Sequence, residues 1–67
     1  MEVKMDYIEK IRLEKGMTVT ELCNGIGIQR TTYYKWLKGE RKPKIDKIVK
    51  MCEVLGIDFA NNVEKFL

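Results

Sequence analysis

The stretch from Arg30 to Lys44 holds most of the recognisable chemistry in this chain. It contains six cations (Arg30, Lys35, Lys38, Arg41, Lys42, Lys44) against one anion, Glu40. The whole chain carries a formal net charge of +3, so this stretch, at +5, leaves −2 for the rest. A basic stripe on a mildly acidic body is the electrostatic footprint of a polyanion-binding surface. A merely solvated face interleaves both signs. The groups beside the stripe can do more than neutralise charge. The Gln29 amide matches the donor and acceptor on an adenine edge, the Arg30 guanidinium matches the paired acceptors of guanine, and a threonine methyl such as that of Thr31 packs on the thymine methyl. Gln29 is the only glutamine present.

Other chemistry is poorly supplied. The chain has no His and no Ser, which removes Ser–His and Cys–His nucleophilic pairs and leaves no metal set around its two Cys residues. Carboxylate or lysine catalysis would need a desolvating cleft, and 67 residues offer little length to build one. The expectation is a binding protein, not an enzyme, with no cofactor and no metal. Cys23 and Cys52 fall on apolar helical faces and read as buried thiols acting as small hydrophobes. A disulfide or redox pair is the alternative, and a reducing compartment fits the first reading. No N-terminal apolar leader and no run long enough to span a bilayer is present, so a cytoplasmic location without a membrane partner is expected.

The elements that must position these groups are helices. Thr18 and Glu21 have the spacing of a capping box. Leu22 and Ile26 follow on one face, Gly27 breaks the pattern at a turn, and Ile28 points back inward. A second periodic stretch, Arg30 to Lys38, buries Tyr33, Trp36 and Leu37 and stops at Gly39. Two short helices joined by a glycine turn form a helix-turn-helix unit over about 18–39, whose second helix enters the major groove of DNA. Around it, a first helix is expected from about Asp6 to Lys15, with Asp6 and Glu9 as a second capping pair and Ile8 and Ile11 facing inward. Gly25 inside the second helix should make it fray or end early. A fourth helix near Lys44 to Leu55 buries Ile45, Ile48, Val49, Cys52 and Leu55. Asp58 caps a short fifth helix carrying Phe59, Val63, Phe66 and Leu67. Strand-like alternation is nowhere seen, so the fold class is all-α, a compact four- to five-helix bundle forming a single domain over 1–67. The expected core joins Ile8, Ile11, Leu22, Ile26, Ile28, Tyr33, Trp36, Ile48, Cys52 and Leu55. Tyr33 and Trp36 could be read as stacking platforms for single strands, but their register with Leu22 and Ile26 favours the core.

With these residues laid out, the chain resembles the Cro/C1-type (Xre) helix-turn-helix family of phage repressors and bacterial regulators. The resemblance covers about Ile8 to Phe59. It rests on I-R-L-E-K-G-M-T at 11–18, L-C-N-G-I-G-I at 22–28, W-L-K-G-E-R-K-P at 36–43 and V-L-G-I-D at 54–58. It implies a lambda-repressor-like DNA-binding domain that binds a partly palindromic double-stranded operator, usually as a homodimer. Carried over residue by residue, the resemblance implies base contacts from Gln29, Arg30, Thr31, Tyr34 and Lys35, at the start and along the exposed face of the recognition helix. It implies phosphate contacts from Thr18, Thr32, Lys38, Arg41 and Lys42. Ordinary surface solvation is the competing reading for each. The chain departs from the pattern at one pair. An Arg at the position of Arg12 commonly meets a Glu where this chain has Leu37, so Arg12 must find another acceptor or stay partly hydrated. Cys23 also fills a site usually held by a smaller residue. The expected function is transcriptional regulation, most simply as a repressor. The alternative is a protein-interaction module on the same fold, an antirepressor or antitoxin-like partner. The C-terminal residues Phe59, Val63, Phe66 and Leu67 carry more apolar surface than a short helix should hide, and are expected to form the dimer contact.

Overall fold

The computed structural model describes residues 5–66. Five helices and one terminal 3₁₀ turn follow in order: α1 Met5–Glu14, α2 Val19–Ile26, α3 Arg30–Lys38, α4 Ile45–Leu55, α5 Phe59–Asn62 and the turn Val63–Phe66. No strand occurs among the described residues, and the all-α reading holds.

Local chemistry accounts for most of the boundaries. The Glu21 N–H donates to the Thr18 hydroxyl and the Thr18 N–H to the Glu21 carboxylate, each at 3.1 Å, so the capping box forms. Asp58 accepts from the Asn61 N–H and starts α5. The first four helices end alike, each closed by an N–H that returns five residues back: Met17 to Arg12, Ile28 to Cys23, Glu40 to Lys35 and Ile57 to Cys52. This closure satisfies carbonyls the helix itself leaves unpaired. It needs a left-handed residue at the corner, where a Cβ is strained, and Gly27 at φ 87° and Gly39 at φ 79° supply it on either side of α3.

The core gathers one stripe from each of the first four helices: Met5 and Ile8 of α1, Leu22, Cys23 and Ile26 of α2, Tyr33 and Trp36 of α3, and Ile48, Met51, Cys52 and Leu55 of α4. Phe66 joins it from the last turn. Helix α2 packs most extensively on α4.

Several expectations need correction. Asp6 does not cap α1, which is already helical at Met5, and Glu9 is engaged elsewhere. Gly25 does not end α2. A Cβ there would lie 3.0 and 3.1 Å from the two methyls of Val54, so the missing side chain lets α2 and α4 approach closely. Ile45 is 53% exposed, not buried. It is the first residue of α4, and periodicity gives the face of a helix but not where its neighbours end. Ile11, Ile28 and Val49 are half-buried at the core's margin, while Met5 and Met51 join the core although helical spacing had not singled them out. The C-terminal aromatics turn inward. Phe66 is buried, packing edge-on against Tyr7 at 5.4 Å and beside Phe59 at 5.6 Å, and the Lys65 ammonium lies over the Tyr7 ring. Of the apolar residues expected to form a dimer contact, Phe59 is half-buried and Val63 is 38% exposed. Leu67 lies outside the described residues.

Candidate nucleic-acid interface

Helix α3 projects its polar side away from the core. Arg30, Tyr34 and Lys38 stand four apart in one row, with Thr31 and Lys35 in the adjacent row, so one helical face carries all five. All five are exposed, Tyr34 by 46%. Gln29 is the N-cap of α3 but makes no side-chain capping bond, so its amide is unused in the cap. The first-turn N–H groups beside it have no side-chain cap and present the positive end of the helix dipole. Gln29, Arg30 and Thr31 thus meet at one exposed corner.

Apart from Thr32, the expected phosphate residues stand at the other end of α3, in the loop after it and at the start of α2, and all of these are exposed. Arg41 and Lys42 are exposed in the loop after α3, and Lys38 is exposed at its end. Thr18 stands at the N-cap of α2, where its oxygen accepts from Glu21, and its hydroxyl hydrogen remains able to donate to an anion. Thr32 is half-buried, a weaker candidate than its neighbours. Among the described residues, none of Arg30, Lys35, Lys38, Arg41 and Lys42 enters an ion pair; the pairs present are Arg12–Glu9 and Lys50–Glu53. The basic stripe therefore faces outward with its charge uncompensated by these residues.

Behind the stripe lies a polar network that local sequence patterns do not reveal. The Arg12 guanidinium donates to both oxygens of Glu9, Nε to Oε1 at 2.7 Å and Nη2 to Oε2 at 2.8 Å. Its remaining nitrogen, Nη1, donates to the Met17 carbonyl at 2.7 Å. The Tyr33 hydroxyl donates to the same Glu9 Oε1 at 2.8 Å. Arg12 thus finds its acceptor three residues back on its own helix, in place of the partner absent at Leu37. The i,i+3 spacing of Glu9 and Arg12 is the available signal. It is masked because Glu9 also stands three residues after Asp6, the spacing of a cap.

The electrostatics follow. The Arg12 hydrogen bonds hold the Glu9 carboxyl below the usual glutamate range, against the opposing pull of burial. Arg12 is raised further above its already high value by the same bonds. Burial, then the Glu9 hydrogen bond, pushes the Tyr33 hydroxyl upward, so it stays protonated and donating. Both cysteines are free and buried. Burial raises the Cys23 thiol and pushes Cys52 up to about 11. Protonated thiols are poor nucleophiles, which favours the packing role over a redox one.

A helix-turn-helix family profile matches residues 8–61. The chain belongs to the Cro/C1-type helix-turn-helix family. It is 32% identical over 56 residues to the cryptic phage CTXphi transcriptional repressor RstR of Vibrio cholerae, a match covering 84% of this chain and 50% of that protein. It is 37% identical over 54 residues to the HTH-type transcriptional regulator YqaF of Bacillus subtilis, covering 81% of this chain and 71% of that one. The chain thus spans about half the length of the phage repressor it matches. Helices α2 and α3, joined through the Gly27 turn, have the arrangement of a helix-turn-helix pair. No helix among the described residues is long and apolar enough to cross a membrane.

Proposed function

We propose that the chain, acting as one domain over residues 1–67, is a sequence-specific double-stranded DNA binder that represses transcription in the cytoplasm by occupying an operator. One observation carries the reading: Gln29, Arg30 and Thr31 form an exposed corner at the uncapped start of a helix flanked by uncompensated cations. Helix α3 lies in the major groove, with Gln29, Arg30, Thr31, Tyr34 and Lys35 at base edges. Thr18, Lys38, Arg41 and Lys42, and more weakly Thr32, hold the phosphates and fix the register. The repressor sense is supported by the phage relative.

Two copies occupy the halves of a partly palindromic operator, which places their recognition helices about 34–36 Å apart. Phe66 is buried inside each copy, and Val63 is the exposed large apolar residue in the described C-terminal turn. We place the pairing of the two copies on the operator itself, where each half-site holds one.

The test is a mobility shift with a duplex selected by the chain from a random pool, set against mixed-sequence duplex at two salt concentrations. Binding should be tighter to the selected duplex, appear as a two-copy complex, and weaken steeply as salt rises, because counterion release then gains less entropy. No shift at low salt would overturn the reading.

A further inference from the structure

Helix α3 is short, and its N-cap holds it with no side-chain bond. Trp36 and the Tyr33 ring hold it to the core through apolar contacts, which carry no directional bond. The directional tie from its buried face to α1 is the Tyr33 hydroxyl, on a fully enclosed residue, which donates to Glu9 Oε1 at 2.8 Å. The same carboxylate grips Arg12 by two bonds, and Arg12 Nη1 holds the Met17 carbonyl, immediately before the Thr18 cap of α2. One side chain on α1 thereby references the start of α2 and the roll of α3 to a common point. No buried side-chain nitrogen or oxygen among the described residues is left without a partner.

We infer that Glu9 is a positioning residue for base readout: through Tyr33 it sets the roll of the recognition helix, and through Arg12 it sets the approach of α2 to the backbone. The inference rests on the proposal that α3 reads base edges. Paired hydrogen bonds to a base edge lose strength steeply with angle and distance. Long lysine and arginine side chains reaching phosphates absorb small rotations of the helix that carries them. Loss of the Glu9–Tyr33 bond should therefore reduce discrimination between sequences while leaving general affinity for DNA in place.

The test compares a duplex selected by the wild-type chain from a random pool with a mixed-sequence duplex, at a temperature where circular dichroism shows every variant folded. Tyr33→Phe removes one hydroxyl and keeps the ring, and Glu9→Gln removes the charge. Each should lower the selected-to-mixed affinity ratio about two- to tenfold, the fold-change that corresponds to one ordinary net hydrogen bond. For Tyr33→Phe, which leaves the charge and the Arg12 bonds in place, mixed-duplex affinity and its salt slope should not move. The double variant should lose no more than the worse single one, because the two residues act as a unit. An unchanged ratio in folded Tyr33→Phe, with only the melting temperature lowered, would overturn the inference. So would equal losses on both duplexes. If Glu9→Gln does not fold, Tyr33→Phe decides alone. Arg30→Ala is run beside them. A ratio unaffected by Arg30→Ala would show instead that α3 does not read bases, a separate failure.

Discussion

At the scale of single residues, readers and holders should separate cleanly. Arg30 stands at the start of α3 and Arg41 and Lys42 in the loop behind its end. Arg30→Ala should cost about 1–3 kcal/mol on the selected duplex and relax preference at one base pair. Arg41→Ala or Lys42→Ala should weaken all sequences alike and reduce the salt slope by about one unit for each phosphate no longer neutralised. Quantitative binding across single-base variants of the duplex distinguishes the two, and equal losses for Arg30→Ala on every variant would refute base readout. Glu9 carries a pH dependence of known sign. Its folded pKa lies below the ordinary glutamate value of 4.5, so the folded state binds this proton less readily than the unfolded chain does. The stabilisation is complete above that ordinary value and is lost as pH falls through the depressed one. Melting temperatures of wild type and Glu9→Gln should differ most near neutral pH and converge as the solution becomes acid. A gap that stayed constant as the solution was made acid would show that the Glu9 charge contributes nothing.

At the scale of elements, α2 and α4 approach closely where Gly25 faces Val54. Ala at position 25 would gain up to about 1 kcal/mol in helix propensity over Gly. Its Cβ, however, would meet both Val54 methyls at 3.0 and 3.1 Å. Valine is stiff at χ1, so neither methyl can swing away without bringing another into place. Gly25→Ala should therefore be destabilising by about 1–3 kcal/mol, the usual cost of overpacking. In a Val54→Ala background the sign should reverse. Denaturant midpoints of the four chains close this cycle, and a stabilising Gly25→Ala on its own would contradict the close approach. Trp36→Ala should cost about 3–5 kcal/mol, as large-to-small aromatic changes in a core do. That is comparable with the whole stability of a domain of this size. A near-native melting curve would place Trp36 outside the core.

At the scale of the whole molecule, the C-terminal turn closes the fold more than it recruits a partner. Phe66 is almost wholly enclosed against Tyr7 and Phe59. Truncation after Asn62 should therefore lower the melting temperature strongly, with little effect on association in the absence of DNA. Sedimentation and thermal melting of the truncated chain test both parts. A stable truncated chain with a shifted monomer–dimer equilibrium would return the C-terminal segment to a dimer role. The surface divides the molecule by charge in the same way: the basic stripe from Arg30 to Lys44 lies on and after α3, and the rest of the chain is net negative. That asymmetry should orient the domain as it approaches a duplex, so association rates should fall with ionic strength.

The starts of α2 and α5, the helix stops and the charge of the stripe were legible in the sequence because each depends on residues within a turn or two of one another. The Thr18–Glu21 box, the glycine closures at Gly27 and Gly39, and the exposed Gln29–Arg30–Thr31 corner are of this kind. The class of the fold and the face each helix buries followed from the same local periodicity. What the tertiary structure alone decided involves elements brought together across the chain. The acceptor of Arg12 depended on a three-residue step that also fitted a cap, and Tyr33 joins it from 24 positions away. Gly25 reads locally as a helix defect and becomes a packing requirement only because Val54 stands opposite. Ile45 carries the right periodicity with no neighbour to enclose it, and Phe66 finds in Tyr7 and Phe59 the cover that a short terminal helix could not supply alone. Periodicity specifies direction around one helix axis; burial depends on what another helix places there.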